Sequence, residues 1–437
     1  MVAIGLAAAL VGLAGWSMMR LAFMHPLQLW SVPWALATSL FAFHLLPYRP
    51  LSASTALLIG ACTTAFAAGC TVAARWLDRR RSDRVPVIDS ARGSHDHVTV
   101  AALVSVVLTG AGLMLYLVEL SLSHGLRDTL VTSPQVRLAL ADGAAAVTIK
   151  YLYVAYASAA LCGLAAARAP SAHGRILWLG LGAAVVGSQY FTTGRSNIVL
   201  ALCVLAAAEA LGRRRQPSMR TLVAAGAALA AFVLAVFTAG GAIIGKTLDN
   251  NPLASVSSPL TEERLLRPLA LPYQYASAPI AGLEVQSGVA DAIPDALGCA
   301  SFAMVCQIGR GAGFDMAPEP LVRPFTQAPL PWNTYTALDL PLVDGGPLFA
   351  ILYFALLGCL AGALWRVARK GSTVAVAAYA IYASALLYSA TQNNFFAPHI
   401  VGACVIAALL LAGARLVRRR GSLGSRPRPR LLPLRSS

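Results

Sequence analysis

The sequence is poor in charged residues. Only 12% of its 437 residues are Asp, Glu, Lys or Arg, whereas 57% are hydrophobic and the mean hydropathy is +0.67. Soluble domains carry about 25% charged residues, so this composition excludes an ordinary soluble protein. A transmembrane β-barrel is excluded as well, because its strands would alternate apolar and polar residues.

Motifs that would indicate a cofactor or an energy source are also absent. The sequence contains no P-loop, so nothing indicates that ATP drives the protein. It contains no CxxC pair and no histidine partner for a cysteine at metal-ligand spacing. The link 46–51 holds no acidic pair, whereas metal-dependent membrane glycosyltransferases place acidic residues in their first outer loop. We therefore predict no metal and no cofactor.

Apolar segments fill most of the chain, and each approaches the ~20 residues that a helix needs to cross a bilayer. The sequence predicts an all-α polytopic integral membrane protein with a single transmembrane domain, 1–416, of about eleven helices. The predicted helices span about 2–19, 27–46, 53–74, 98–118, 146–167, 176–192, 196–212, 221–244, 346–365, 372–390 and 398–416.

Basic residues are distributed unequally between the links that join these helices. If successive links alternate between the two sides of the membrane, 24 of the 34 basic residues fall on one side. The positive-inside rule then predicts an outer N-terminus and a cytoplasmic C-terminus, with 417–437 as a disordered basic tail. This bias accounts for the net charge of +16, and we expect no nucleic-acid partner because the basic patches lack interleaved aromatic residues.

One long polar segment, 246–345, interrupts the apolar pattern and is predicted to lie outside. Its length far exceeds that of an ordinary loop, which favours a functional role. Its cysteines, Cys299 and Cys306, would lie about 10 Å apart on one continuous helix, so a disulfide would require a bend between them. The sequence leaves both the bridged and the unbridged form open.

Outward arginines are the first candidate binding groups. Arg195 follows the sixth predicted helix in the run TTGRSN, where it would either extend to lipid headgroups or bind a diphosphate together with the N–H groups of the next helix. The long segment adds Arg264, Arg267, Arg310 and Arg323. Arginine rather than lysine favours bidentate binding of oxyanions, although about half of these side chains are expected to pair with acidic residues of the segment.

The end of the long segment and the last outer link supply further polar groups. Asn333 and Tyr335 are suited to binding sugars, while Asp344 would act as a base or cap the helix that begins near Pro347. His399 lies at the start of the last predicted helix, where it is either a packed interface histidine or a site residue.

Several of these runs, in this order, resemble the O-antigen (Wzy-like) polymerase family of oligosaccharide repeat-unit polymerases. The similarity extends from His25 to about Leu410 and rests on HPLQLW, TTGRSN, PYQYASAPIAGLE, and NTYT followed by an Asp-Gly-Gly turn and GCLAGALW. The chain departs from the family pattern at Gly345, where relatives usually carry an aromatic residue.

The resemblance implies a bacterial inner-membrane enzyme with the fold of the metal-independent GT-C-type membrane glycosyltransferases. Such an enzyme transfers a growing glycan from undecaprenyl diphosphate to a new lipid-linked repeat unit on the outer face. Its partners would be undecaprenyl-diphosphate-linked oligosaccharides, the lipid bilayer and a chain-length regulator. The alternatives are an O-antigen ligase, which differs in its acceptor, and a lipid-linked oligosaccharide flippase, for which internal repeats are expected and none is found.

The resemblance also implies roles for the candidate residues. Arg195, with Arg264, Arg267 or Arg310, would stabilise the departing diphosphate. Asn333 and Tyr335 would bind the substrate. The proton of the acceptor hydroxyl would pass to a base, for which the candidates are Asp344, Glu284 and His399.

Overall fold

The structure is a computed structural model and is all-α apart from one minimal strand pair. It describes residues 1–79, 93–125, 128–129, 151–192, 195–213, 224, 226–228, 231, 234–235, 248–249, 251–287, 299–314, 326–327, 330–332 and 334–424. Two strands of two residues, β1 (Thr326–Gln327) and β2 (Pro331–Trp332), pair antiparallel.

The described helices follow one another with short links in most of the chain. They are α1 (Val2–Arg20), α2 (Pro26–Ala42), α3 (Ala53–Arg79), α4 (Gly93–His124), α5 (Tyr151–Arg168), α6 (Ala172–Ser188), α7 (Arg195–Gly212), α8 (Pro259–Glu262), α9 (Ala270–Ser287), α10 (Ala303–Gly311), α11 (Asp339–Arg369), α12 (Thr373–Leu387) and α13 (Pro398–Gly424). Short 3₁₀ helices occupy Gln189–Thr192, Pro252–Ser255 and Arg267–Leu269.

Ten of the eleven predicted apolar helices coincide with helices of the structure, α1–α7 and α11–α13. Most of the remaining one, 221–244, lies outside the described residues. Among the described helices, five are long and apolar enough to cross a membrane, namely α1, α3, α11, the part of α4 from Asp96 and the part of α13 up to Arg418. These helices are those of a membrane-embedded protein, and the number eleven stays a prediction.

Several predicted boundaries differ from the structure; α11, for example, begins at Asp339 rather than near 346. The helix α13 continues to Gly424, so the first part of the predicted disordered tail is helical. Arg418 in this extension lies 3.7 Å from Asp96 at the start of α4, and basic side chains in the last turns of a helix interact favourably with its dipole. The polar segment 246–345 likewise contains the helices α8, α9 and α10 rather than loop alone.

The links predicted to be cytoplasmic meet at one end of the helix bundle, here called the basic face. There Arg366 at the end of α11 donates to Asp78 at the end of α3 over 2.7 Å. Arg175 and Arg213 both contact Glu209 near the end of α7, at 2.7 and 2.6 Å. The links predicted to be outer meet at the opposite end, the cap face, which also carries the described residues between 248 and 344, the cap segment.

The centre of the bundle is formed by α5 and α12. The helix α5 is buried continuously from Ala155 to Ala166 between α4, α6, α7 and α13. The helix α12 is buried against α2, α7, α11 and α13, and both helices are rich in alanine. Small side chains let helices approach closely, which matters in a bilayer because lipid removes the hydrophobic drive for association.

The closest helix contact joins α3 to α11 through glycines. A Cβ atom at Gly69 would lie 2.8 Å from the backbone nitrogen of Cys359, and one at Gly362 would lie 2.7 Å from the carbonyl oxygen of Cys70. A Cβ atom at Gly358 would meet the carbonyl of Phe66. Since these neighbours are backbone atoms, they cannot rotate away, and the glycines set the distance between the two helices.

We therefore predict that Gly69→Ala destabilises the protein by about 1–3 kcal/mol, the usual cost of overpacking. Gly60→Ala is the matched control, because Gly60 lies in the same helix and its added Cβ would have nothing within 4 Å. Thermal unfolding of both purified variants in one detergent measures the difference. Equal midpoints for the two variants would contradict the close contact of α3 with α11.

Candidate functional site at the cap face

The helix α9 connects the cap segment to the outer end of α2. The hydroxyl of Tyr273 donates to the carbonyl oxygen of Leu40 at 2.5 Å and accepts from the amide of Leu45 at 3.1 Å. The hydroxyls of Tyr48 and Ser277 are 2.9 Å apart. Burial raises the pKa of Tyr48 above its ordinary value, so its hydroxyl stays protonated and available for this bond.

Glu284, one of the three candidate bases, joins α9 to the start of α3. Its Oε2 accepts from the backbone amide and from the hydroxyl of Ser52, each at 3.0 Å. The Ser52 hydroxyl oxygen in turn accepts from the amide of Thr55, which caps the first turn of α3. Glu284 is half-buried, and this carboxylate oxygen therefore holds the two helices together.

Asp344, the second candidate base, is only 5% exposed and binds the backbone of the cap segment. Its two carboxylate oxygens accept from the amide of Ala300 at 3.2 Å and from that of Ser301 at 2.6 Å. The sequence left a base or a helix cap as the two alternatives. The structure shows neither arrangement directly, because the amides that Asp344 binds belong to a segment more than forty residues earlier in the chain.

Cys299 and Cys306 form a disulfide across these amides, with their Cα atoms 5.5 Å apart. The bend that such a bridge requires lies at 300–302, directly before α10 begins at Ala303. The disulfide and the Asp344 carboxylate together hold one short loop against the start of α11.

The turn after Asp344 depends on glycine. The helix α11 is interrupted at Gly345 and Gly346, whose backbone dihedrals are non-helical. Gly346 has a φ of +71°, a left-handed conformation that glycine adopts without strain, and the long part of α11 follows from Pro347. A Cβ atom at Gly345 would lie 2.6 Å from the Cβ of Phe349. A larger side chain at this position would therefore require a different local packing from the one in this chain.

His399, the third candidate base, lies in a group of polar side chains, here called the His399 cluster. Its ring centroid is 5.5 Å from that of Tyr156, whose hydroxyl donates to Oδ1 of Asn197 at 3.2 Å. Nδ2 of Asn197 donates to the hydroxyl of Thr192 at 2.8 Å. Nε2 of His399 is buried and has no hydrogen-bond partner among the described residues. The cluster joins the starts of α5, α7 and α13, and Arg195 is the first residue of α7.

The candidate arginines of the cap segment differ in their contacts. Arg267 forms an ion pair with Asp249, and both side chains are largely exposed. Arg264 is exposed and has no ion pair within the described part of the chain. Arg310 lies on α10 and is half-buried. Arg267 is thus paired with an acidic residue of its own segment.

The remaining predicted site residues are placed only in part. The backbone of Arg195 is described but its side chain is not, and Arg323 and Asn333 lie outside the described residues. Tyr335 is buried, with its ring beside Gly282 of α9, where an added Cβ would lie 3.2 Å from the ring carbon Cδ1. The structure brings Tyr335 against α9 rather than leaving its ring open to solvent.

Tyr156 is a site residue that the sequence did not indicate. It lies within an uninterrupted apolar segment, where a tyrosine has the pattern of an ordinary packed residue. Its proximity to both Asn197 and His399 arises from the packing of α5 against α7 and α13. No periodicity or motif in the sequence could have found that contact.

Comparisons of the chain with protein-family models, with curated proteins and with solved structures find no match. Fold and contacts therefore define the class: an all-α membrane-embedded protein with a disulfide-bonded helical segment docked on one end of its bundle.

The two acceptor bonds of Asp344 predict a stability effect. Asp344→Ala would leave two buried amides unpaired, and we expect a loss of about 3 kcal/mol in the free energy of unfolding. The control is Asp249→Ala, which removes an exposed carboxylate with one surface ion pair and should cost less than about 1 kcal/mol. Denaturant unfolding of the purified variants compares them, and similar losses would show that Asp344 does not hold the cap segment.

The disulfide predicts a thiol count. The chain has eight cysteines, of which six are free, so alkylation in denaturant should modify six without reductant and eight after reduction. Cys299→Ser should raise the count without reductant by one, because it frees Cys306. Mass spectrometry of protein alkylated directly in cell lysate measures both counts, and complete modification of the unreduced native chain would exclude the bridge.

Proposed function

We propose that this chain is a metal-independent glycosyltransferase that polymerises lipid-linked oligosaccharide repeat units. It would transfer a growing glycan from undecaprenyl diphosphate to the non-reducing end of an incoming unit at the cap face. The order of short motifs along the chain, from HPLQLW to GCLAGALW, supports the reaction class. No metal enters the proposal, since the chemistry it assigns is electrostatic stabilisation by side chains and helix amides.

The single observation that carries the proposal is the connection, through Tyr156 of α5, between the starts of α7 and α13. Arg195 begins α7, and two residues later Asn197 is linked through Tyr156 to His399. Arg195, which the motif resemblance selects, and His399, an alternative candidate base, thus belong to helix starts that one tyrosine connects. A diphosphate-binding group and a proton acceptor at one end of the bundle are what transfer from a lipid diphosphate requires.

The leaving diphosphate would bind at the N-terminus of α7. The first amides of a helix have no acceptor within the helix, and the guanidinium of Arg195 would add a planar, charged donor at the same position. Arg264 is available as a second cation because it has no ion pair among the described residues. Arg267 could join by exchanging Asp249 for phosphate, since exposed ion pairs contribute little free energy.

The contacts of the three candidate bases favour His399. Both oxygens of Asp344 accept backbone amides, and Oε2 of Glu284 accepts two donors from Ser52. His399 retains a buried Nε2 without a hydrogen-bond partner in the described structure. In the proposed step, the acceptor hydroxyl attacks the anomeric carbon, its proton passes to His399, and the bond from that carbon to the diphosphate oxygen breaks.

The proposed location is the bacterial inner membrane, with the cap face and the N-terminus outside and the C-terminus in the cytoplasm. The excess of basic residues on the opposite side supports this orientation. The Cys299–Cys306 disulfide supports it as well, because disulfides persist in oxidising compartments such as the periplasm. Lipid-linked oligosaccharides, the bilayer and a chain-length regulator are the proposed partners.

The test is the glycan profile of a host strain whose own copy of this gene is deleted and replaced by variants. Arg195→Ala should abolish polymer and leave single-repeat glycolipid, because the diphosphate loses its cation. Arg195→Lys should restore only part of the polymer, since lysine keeps the charge but lacks the planar pair of donors. Arg20→Ala, an exposed arginine at the end of α1, is the matched control and should leave the profile unchanged.

Normal chain lengths with Arg195→Ala would remove this residue from the site. In the deletion strain, polymer stranded on undecaprenyl would instead indicate a ligase. Loss of polymer with units trapped on the inner leaflet would indicate a flippase. Expression of each variant in the membrane is checked by immunoblot, so that absence of the protein is not read as absence of activity.

A further inference from the structure

The helix α10 of the cap segment exposes an apolar face. Val305 is 56% exposed and Ile308 is 61% exposed, and these residues lie three positions apart, on one side of the helix. Phe314, just beyond the helix, is 66% exposed. Cys306 points to the opposite side, where it is buried in the disulfide with Cys299. The exposed apolar face thus belongs to a helix that is covalently held on its other side.

The first turn of α10 is fixed at the cap-face ends of α11 and α13. The amide of Met304 donates to the carbonyl oxygen of Phe396 at 3.2 Å, two residues before α13 begins. The ring of Phe302 packs against that of Phe396 at a centroid distance of 4.8 Å and against that of Phe349 in α11 at 6.4 Å. These contacts place the start of α10 beside Phe349, just after the Gly345–Gly346 break in α11, and beside the start of α13.

At this level α11 itself exposes apolar side chains. Leu348, next to the Phe349 ring that Phe302 contacts, is 69% exposed, and Leu352 and Leu356 continue the same exposed row along α11. In a helix that crosses a bilayer, an exposed apolar row faces acyl chains. The helix α10 therefore begins beside a membrane-spanning helix that exposes an apolar row.

We propose that α10 is an interfacial helix whose Val305–Ile308 face is immersed in the phospholipid leaflet at the cap face. Its partner is the boundary between headgroups and acyl chains. An amphipathic helix lies in this boundary because its apolar side leaves water while its polar side stays hydrated. Successive residues are about 100° apart around a helix, so Gln307, which is exposed, faces away from the immersed side.

A phospholipid surface fits this face better than a second copy of the chain. The contact of Phe302 with Phe349, the neighbour of Leu348 in the exposed row of α11, places the start of α10 beside the membrane-spanning helix. At the membrane surface, phospholipid is present at high concentration whether or not two copies of the chain associate. Through the disulfide and the bonds from Ala300 and Ser301 to Asp344, the immersed helix would set the depth of the cap segment in the leaflet.

The experiment is site-specific photo-crosslinking of the full chain in vesicles of phosphatidylethanolamine and phosphatidylglycerol. Val305 and Ile308 are each replaced by the photoreactive residue p-benzoylphenylalanine. Leu352 provides the reference position in the lipid-facing row of α11, and Gln307 provides the matched control on the polar side of the same helix. After irradiation, mass spectrometry should detect phospholipid adducts at 305, 308 and 352, and several-fold fewer at 307.

Equal adduct yields at 305, 307 and 308 would overturn the proposal, as would yields at 305 and 308 close to zero while 352 reacts. Crosslinks from one chain to another at 305 or 308 would show that a second copy of the chain covers this face, and they would overturn the proposal too. Each variant is first checked for the intact Cys299–Cys306 bridge by thiol counting, so that only chains with a folded cap segment are compared. The readout needs no catalytic activity and is therefore independent of the proposed glycosyl transfer.

Discussion

The bond between the Asp344 carboxylate and the amides of Ala300 and Ser301 is the contact on which the cap face depends. A buried carboxylate is stable only when donors surround it, and a tight loop has amides that need acceptors. The disulfide closes that loop, and the left-handed Gly346 forms part of the break in α11 that follows the carboxylate. This junction holds the loop directly before α10, and the bond from Met304 to Phe396 holds the first turn of the helix itself.

The two ends of the bundle use polar groups in different ways. At the basic face, Asp78 pairs with Arg366 near the surface, where an ion pair contributes little free energy, and the buried Glu209 pairs with both Arg175 and Arg213. At the cap face, neutral groups such as Tyr48, Tyr273 and Asn197 form hydrogen bonds between elements, and a buried imidazole nitrogen is left without a partner among the described residues. An unsatisfied polar atom is costly in a low-dielectric interior, so a hydrogen bond to this nitrogen from a bound polar group would be strongly stabilising.

Much of the fold could be predicted, because a bilayer requires long apolar helices and hydropathy reports them directly. The residue types at the cap face were predictable for a similar reason, since polar groups at helix ends stand out against apolar runs. Their roles were not. Asp344 and Glu284 have the sequence context of candidate bases, yet their partners are backbone and serine donors brought in by distant segments. The pairing of Cys299 with Cys306 depended on a bend that two cysteines seven residues apart do not encode by themselves.

The sequence by itself determined the membrane class, the positions of ten helices and the division of charge between the two ends, because each of these follows from local composition summed along the chain. Only the tertiary structure decided that the polar segment is a docked, helical cap and that Tyr156 brings the start of α7 to His399. It alone decided, too, that the glycines of α3 and α11 face each other. The physical reason is that a hydrogen bond or a close helix contact depends on two surfaces at once, and neither surface specifies the other in a linear pattern.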